Sequence, residues 1–153
     1  MTVPALLQLD VIPEYGQVAI VDATWQDYPQ WDRGDEWVAF RAPSLSHPES
    51  PPYPGVAVAT QPDYGPDGEL TSVHIEVWSD DEPTGLHCVH ETVLSVGSHG
   101  VDVGNQIGGG LERLRLARGL YPLRVLVNAE VTREVSRVVF ALGQHKERPP
   151  LPA

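Results

Sequence analysis

Cysteine is nearly absent from this sequence: Cys88 is the only one, so no disulfide can form within the chain. Cys88 lies among strand-type residues, and we expect it to be a small core residue rather than a nucleophile. No apolar run approaches the roughly 20 residues that a membrane-spanning helix requires. The first residues lack the basic stretch of a signal peptide, so we expect a cytoplasmic protein with no membrane partner.

Basic residues are scarce in the first 82 residues, which contain 15 acids and only two bases, Arg33 and Arg41. Residues 83–153 contain 6 acids and 8 bases, so the formal charge of −11 is concentrated in the first 82 residues. This distribution excludes nucleic acid and anionic lipid as expected ligands, because both require a basic footprint. It favours a basic protein partner attracted over long range. The alternative is that the acids only maintain solubility.

Catalytic motifs are also missing. The sequence has no G-x-S-x-G, no phosphate-binding glycine loop and no Cys/His signature, so we expect no enzyme activity and no cofactor. His74, Glu76 and His90 are the best candidates for metal ligands, but zinc requires three or four converging side chains, and we expect no metal site. The acids of residues 63–69 do not match a calcium loop and are ordinary turn formers.

Short stretches of alternating apolar and polar residues dominate the chain, and Pro- and Gly-containing turns separate them. This pattern predicts an all-β fold, an antiparallel β-sandwich of the Greek-key or jelly-roll type with about nine or ten strands. The run 135–142 is apolar at both parities, which predicts an interior strand covered on both faces. We expect residues 1–143 to form a single domain and residues 144–153 a frayed tail. The predicted strands are 5–12, 15–23, 38–42, 56–60, 70–79, 86–96, 99–103 and three runs within 111–142.

A tyrosine motif connects two of these strands: Leu114-x-Leu116-x-x-Gly119-x-Tyr121-x-Leu123. Its spacing is typical of a tyrosine corner, in which a hydroxyl near a strand start bonds back to the backbone just upstream, across the turn between two sheets. The alternative is a plain hairpin with a buried tyrosine.

Residues 24–37 contain three of the four tryptophans together with several acids, and they show no strand period. Rigid aromatics surrounded by charge are typical of a protein-binding hot spot. The alternative is that this segment folds over one end of the sandwich and buries its tryptophans. We predict a partner-binding surface here and a second acidic patch at 80–82. The predicted contact residues are Trp25, Asp27, Trp31, Asp32, Asp35, Glu36, Asp80, Asp81 and Glu82.

Two parts of the sequence together resemble one known family. One is the motif of Leu114 to Leu123; the other comprises, in order, Tyr15, Gln17, Val18, Ile20, Asp22 and Trp31. They are similar to the small bacterial competence proteins of the ComJ family. The resemblance implies a compact β-sandwich that binds and inhibits a DNA-entry nuclease and has no catalytic residues. The Pro-rich segment 43–55, which we expect to cross the surface, and the Gly-rich segment 104–110 depart from the family pattern.

The leading hypothesis is a non-enzymatic β-sandwich that binds a basic protein, a nuclease or a toxin, as an inhibitor or immunity-type factor. Its acids would occupy a cationic groove of the partner in place of phosphates. One alternative is a carbohydrate-binding module that uses Trp25, Trp31 and Trp37. Another is a structural or assembly subunit that makes contacts through exposed strand edges. The oligomeric state stays open.

Overall fold

The computed structural model describes residues 5–23, 32–33, 37–42, 54–105 and 110–144. Within these ranges the chain forms strands and two short 3-10 turns, Glu14–Gly16 and Thr132–Glu134. No helix in the described ranges is long and apolar enough to cross a membrane. The strands are β1 (Leu7–Val11), β2 (Gln17–Asp22), β3 (Asp32–Arg33), β4 (Val38–Ala42), β5 (Gly55–Ala59), β6 (Val73–Ser79), β7 (His87–Val96), β8 (Val101–Asn105), β9 (Gly110–Leu114), β10 (Gly119–Val127) and β11 (Arg137–Leu142).

The strands form two sheets, which confirms the predicted all-β sandwich. The five-stranded sheet has the order β1-β6-β11-β10-β7, and the six-stranded sheet has the order β3-β4-β5-β2-β8-β9. Neighbouring strands are antiparallel except β6 and β11, which run parallel, with Ile75 opposite Val138. This pair departs from the predicted antiparallel pattern because β6 and β11 are joined through strands β7 to β10 rather than by a hairpin.

One hydrophobic core lies between the inner faces of the two sheets. The alternation of side chains along each strand places every second apolar residue in this core. Burial of these β-branched and aromatic side chains from water is what drives the two sheets together. Core residues of the six-stranded sheet include Val18, Ile20, Val56, Val58, Val101 and Val103, and those of the five-stranded sheet include Ile75, Val77, Leu94, Leu123, Val125 and Phe140.

Strand register defines two ends of the sandwich. The end where β2 and β6 finish, and where β10 begins, we name the upper end; the opposite end is the lower end. At the upper end the two sheets are linked directly, because the Gly97 backbone N–H donates to the Asp22 carboxylate at 3.3 Å. The strands that a connection joins therefore show at which end of the sandwich the connection begins and at which end it finishes.

The tyrosine corner is present. The Tyr121 hydroxyl donates a 2.6 Å hydrogen bond to the Ala117 carbonyl, in the connection that leaves β9 of one sheet and enters β10 of the other. Tyr121 is buried, and burial raises the pKa of its phenol. The corner fixes the path of the chain between the sheets, as the sequence motif predicted.

Strand β11 is covered on both faces, as predicted from the apolar residues at both its odd and its even positions. Its Phe140 face lies in the main core, whereas Val139 and Ala141 belong to a second cluster on the outer face of the five-stranded sheet. Trp78 and Leu86 pack against this second cluster. An interior strand buried on both sides is the expected place for such a continuous apolar run.

Strands β2 and β6 begin two and three residues later than predicted. Tyr15 and Gly16 have positive φ values of 58° and 64°, which a strand cannot accommodate, so β2 begins at Gln17. Leu70 pairs with Tyr64 in an isolated bridge, and β6 begins only at Val73. The connection between β10 and β11 contains the 3-10 turn Thr132–Glu134.

The prediction of a buried Cys88 is wrong, because this side chain is exposed. The register of β7 against β10 shifts here: His90 lies opposite Val125, but Cys88 lies opposite Leu126. This bulge inserts one residue and therefore reverses which side chains face the core. Cys88 is thus directed to the outer face, alongside the second cluster.

Four predicted features lie outside the described residues in whole or in part. They are the segment 24–31 together with residues 34–36, the Pro-rich crossing up to residue 53, residues 106–109 of the Gly-rich segment, and the tail from residue 145.

Replacing Tyr121 with Phe removes only the corner hydrogen bond, because the ring stays in the core. We expect the free energy of unfolding to fall by about 1 kcal/mol, the net value of one such bond. Urea denaturation measures it. The matched control is Tyr15→Phe, whose side chain is 80% exposed and whose change should stay within about 0.5 kcal/mol. Equal effects of the two substitutions would show that the corner bond adds no stability.

Candidate functional site

The acidic stretch Asp80–Glu82 opens the connection between β6 and β7. Because β6 ends at the upper end and β7 begins at the lower end, residues 80–86 cross the outer face of the five-stranded sheet. We name this connection the strap. It is anchored at its start by the Asp80 backbone N–H, which donates to the Leu142 carbonyl at 3.0 Å, and at its end by Leu86, which packs on the second cluster.

Arg124 ties the strap to the sheet beneath it. This residue is at a solvent-facing position of β10, next to Ala141 and opposite Glu91 in register. Its guanidinium donates to the Glu82 carboxylate at 2.7 Å and contacts the Glu91 carboxylate at 3.2 Å. The Cys88 side chain and then the Glu82 and Glu91 carboxylates raise the pKa of Arg124, so the guanidinium stays charged.

An open groove lies beside the strap at the upper end, with a volume of about 530 Å³. We name it the acidic groove. Its charged groups are three carboxylates and one guanidinium, which gives a formal charge of −2. Within the described ranges, neither Asp80 nor Asp81 forms an ion pair, so both charges are available to a ligand. The groove is lined by Asp80, Asp81, Glu82, Pro122, Arg124, Ala141, Leu142, Gly143 and Gln144.

A second polar network occupies the same outer face, nearer the lower end. Glu76 is buried, with 5% of its surface exposed, although it is directed away from the main core. Arg137 donates to one Glu76 oxygen at 2.5 Å, and the Trp78 indole N–H donates to the other at 3.0 Å. His74 lies between Glu76 at 3.7 Å and Asp10 at 3.0 Å.

The charge of Glu76 is stabilised by this network. Burial alone would raise the pKa of the Glu76 carboxyl, but the hydrogen bonds from Arg137 and Trp78 oppose it. The positive charges of Arg137 and His74 act in the same direction, and the pKa lies below its ordinary value as a result. Glu76 is therefore a structural anion, which orients Trp78 over the second cluster.

The predicted contact residues divide into two sets. Asp80, Asp81 and Glu82 come together in the acidic groove. Asp32 is the first residue of β3, and the other predicted residues, Trp25, Asp27, Trp31, Asp35 and Glu36, lie outside the described residues.

The strands that flank the segment 24–31 indicate where it starts and finishes. Strand β2 ends at Asp22 and β3 begins at Asp32, and both positions are at the upper end, like Asp80. Trp37, which the carbohydrate-binding alternative requires, is partly buried and packs against the main core. Its indole is therefore not a free stacking platform.

The candidate metal ligands do not converge. His74 and His90 lie on β6 and β7, with two strands between them, a separation of roughly 14 Å at 4.8 Å per strand. Among the residues that the structure describes, no group of three or more His, Cys, Asp or Glu side chains could hold a metal ion. His74 does lie close to Asp10 and Glu76, but Glu76 is paired with Arg137.

Sequence reasoning missed Arg124 and Glu91 as parts of this site. In the sequence, Arg124 is only a polar residue within a run of alternating apolar and polar residues. Its partners are distant in sequence, 42 residues away for Glu82, and only the strand order brings them together.

The described part of the chain is thus a β-sandwich whose upper end carries an exposed acidic groove. No family model matches the sequence, and none of the curated proteins does.

A solved structure of the same fold is that of ComJ from Bacillus subtilis, described as an inhibitor of the DNA-degrading activity of NucA. The superposition has a TM-score of 0.53 and covers 94% of this chain and 99% of ComJ, at 9% sequence identity. The likeness shows a shared fold, as the sequence resemblance implied, and the similar protein is an inhibitor rather than an enzyme.

Replacing Glu76 with Gln should lower the free energy of unfolding at pH 7 by about 1–3 kcal/mol, because charged hydrogen bonds to Arg137 and Trp78 are weakened. The lowered pKa sets the sign of the pH dependence. The stabilisation is present above the ordinary value of 4.5 and is lost as the pH falls through the lowered pKa. The difference in the free energy of unfolding between wild type and variant should therefore be smaller in acid, and urea denaturation at pH 7 and pH 3 measures it. The same difference at both pH values would contradict a stabilising role of the ionised Glu76.

Replacing Arg124 with Gln should loosen the strap without unfolding the sandwich. We expect amide hydrogen exchange of residues 81–86 to accelerate by at least about threefold, because local opening no longer breaks an ion pair. Arg115→Gln is the control, since Arg115 is also an exposed arginine but lies in the connection after β9. Unchanged exchange in the Arg124 variant would mean that Leu86 and the hydrogen bond from Asp80 to Leu142 hold the strap without the ion pair.

Proposed function

We propose that this protein is a non-enzymatic, acidic protein-binding module that inhibits a basic partner, with a nuclease or a toxin as the partner class. The observation that carries the proposal is the acidic groove, whose Asp80 and Asp81 carboxylates are exposed and have no ion-pair partner among the described residues. The fold shared with ComJ, an inhibitor of NucA, supports the inhibitor role.

The groove suits a cationic side chain of a partner. Pro122 and Ala141 contribute apolar surface to it, and Asp80, Asp81 and Glu82 make it acidic. A lysine or arginine can lay its aliphatic stem on such an apolar surface while its charged group meets carboxylates. Arg124 opposes this attraction only in part, because Glu82 and Glu91 already neutralise it.

The charge distribution of the whole chain would also favour the attraction of a basic partner. The first 82 residues carry 15 acids against two bases, and Asp80 to Glu82 belong to this part. A field of one sign accelerates encounter with an oppositely charged protein, and it does so most at low ionic strength. We propose that Trp25, Asp27, Trp31 and Asp32 extend the contact at the upper end, because β2 ends there and β3 begins there. Asp35 and Glu36 come between β3 and β4, outside the described residues, and their part in the contact stays a prediction.

The test begins with capture of the partner from a lysate of the native host, with this protein as bait and elution by a salt gradient. The proposal predicts a basic protein that elutes only at raised salt and is identified by mass spectrometry. Its association rate is then compared for wild type and Asp81→Lys. Asp81 is a better position for reversing the side-chain charge than Asp80, because the φ of 60° at Asp80 disfavours a long side chain.

Asp81→Lys should slow association by about three- to tenfold at low salt and flatten its salt dependence, because a steering charge is reversed. The matched control is Glu112→Lys, which makes the same change of charge at an exposed position of β9 on the other sheet. Equal rates for the two variants would remove the acidic groove from the contact. Failure to retain any basic protein would contradict the proposed function itself.

A further inference from the structure

The lower end of the sandwich exposes several large apolar side chains. Tyr15 is 80% exposed, Tyr64 56% and Leu70 58%, and Ile12 and Val131 are exposed as well. Apart from Leu6, these are all the exposed large hydrophobics among the residues that the structure describes. We name this group the aromatic patch. Single exposed hydrophobics are normal on a protein surface, but their concentration at one end marks an interaction site.

Three connections form the patch, and backbone hydrogen bonds hold them together. The Thr60 N–H donates to the Gly16 carbonyl at 2.8 Å, and the Gln61 N–H donates to the Val135 carbonyl at 3.0 Å. The connections β1–β2, β5–β6 and β10–β11 are thus linked in one row. The patch is therefore preformed, and its ordering does not have to be supplied by binding.

Tyr64 and Leu70 are paired within this row. They lie opposite each other in an antiparallel bridge, which places their side chains on the same face of the turn. The Thr71 hydroxyl and backbone N–H donate to the Pro62 and Asp63 carbonyls, at 2.5 and 2.8 Å, and close this turn.

Tyr15 adopts a conformation that its side chain disfavours. Its φ of 58° is in the left-handed region, and it is one of two non-glycine residues with positive φ in the described ranges. The Asn105 side-chain amide holds it there by donating to the Glu14 and Gln17 carbonyls, at 3.0 and 2.8 Å. The fold thus maintains a strained backbone to present an aromatic ring to solvent, and such strain is characteristic of functional positions.

The surroundings of the patch are acidic. The same three connections carry six carboxylates and a single base, Arg133, among the described residues. A second copy of this chain is an unsuitable occupant, because a symmetric contact would bring like charges together. Charge complementarity favours an apolar surface rimmed by Lys and Arg. The carboxylates are those of Glu14, Asp63, Asp67, Glu69, Glu130 and Glu134.

We propose that the aromatic patch is a second protein interface, which takes an amphipathic basic segment of another protein. Apolar side chains of that segment would pack on Tyr15, Tyr64 and Leu70, and its Lys and Arg side chains would meet the carboxylate rim. Pro122 in the acidic groove lies five residues before Val127, the last residue of β10, a separation of roughly 17 Å at 3.3 Å per residue. The two surfaces are separate, and this inference stands independently of the proposed inhibitor function.

The test is an NMR titration of the labelled protein with two defined peptides of equal length and charge, one of leucine and lysine and one of serine and lysine. We expect the leucine–lysine peptide to bind saturably, with chemical-shift changes centred on Tyr15, Tyr64 and Leu70. The serine–lysine peptide should bind at least about tenfold more weakly, because the apolar anchors supply most of the affinity.

The variant Tyr15→Gly with Leu70→Ser removes the two most exposed side chains, and glycine suits the backbone conformation at position 15. It should weaken binding of the leucine–lysine peptide by about tenfold or more, whereas Asp81→Lys in the acidic groove should leave it within about twofold. Equal affinity for the two peptides, shift changes centred on the acidic groove, or unchanged affinity of the double variant would overturn the proposal. None of these outcomes counts against binding of a basic protein at the acidic groove, so the two proposals fail separately.

Discussion

Burial of two apolar sheet faces against each other is the constraint on which the rest of this structure depends. Every strand in the core contributes alternate side chains to that interface, so the polar side chains are left on the outer faces. Connections between strands must then lie at the two ends or cross an outer face. Two hydrogen bonds stabilise the upper end. The bond from Tyr121 to Ala117 lies where the chain passes from one sheet to the other, and the bond from Gly97 to Asp22 joins the two sheets directly.

The strap is a consequence of the parallel pairing of β6 and β11. Since β6 ends at the upper end and β7 begins at the lower end, the chain has to travel along the outer face of the five-stranded sheet. Trp78 and Leu86 bury the apolar residues beneath this crossing, and Arg124 forms ion pairs with Glu82 and Glu91. Asp80 and Asp81 are left with their charges, which is why the groove beside the strap is acidic.

The fold could be predicted from the sequence because its signals are local. Alternation identified most strands, the spacing from Leu114 to Leu123 predicted the tyrosine corner, and the apolar run of β11 predicted an interior strand. Cys88 was predicted wrongly because one inserted residue reverses the facing of a strand, and such a bulge leaves no mark in composition.

The candidate site was only partly predictable. Asp80 to Glu82 were recognisable as an acidic run, but Arg124 joins them through strand order, which the sequence does not reveal. The aromatic patch was missed for the same reason. The sequence predicts a strand at Tyr15, a turn at Tyr64 and the start of a strand at Leu70, and none of these predictions indicates that the three residues share one end.

The two ends of the sandwich differ in what they can offer a partner. The upper end presents charge beside a small apolar surface, which favours fast, salt-dependent association. The lower end presents rigid rings within an acidic rim, which favours longer-lived contacts.

The most direct measurement is a DNA-degradation titration, in which this protein is added to the basic partner captured from its host. Inhibition through the acidic groove predicts that degradation falls to background near a 1:1 ratio and that raised salt restores it, because the attraction is screened. Degradation at the full rate in the presence of a molar excess of this protein would contradict the proposed inhibitor function.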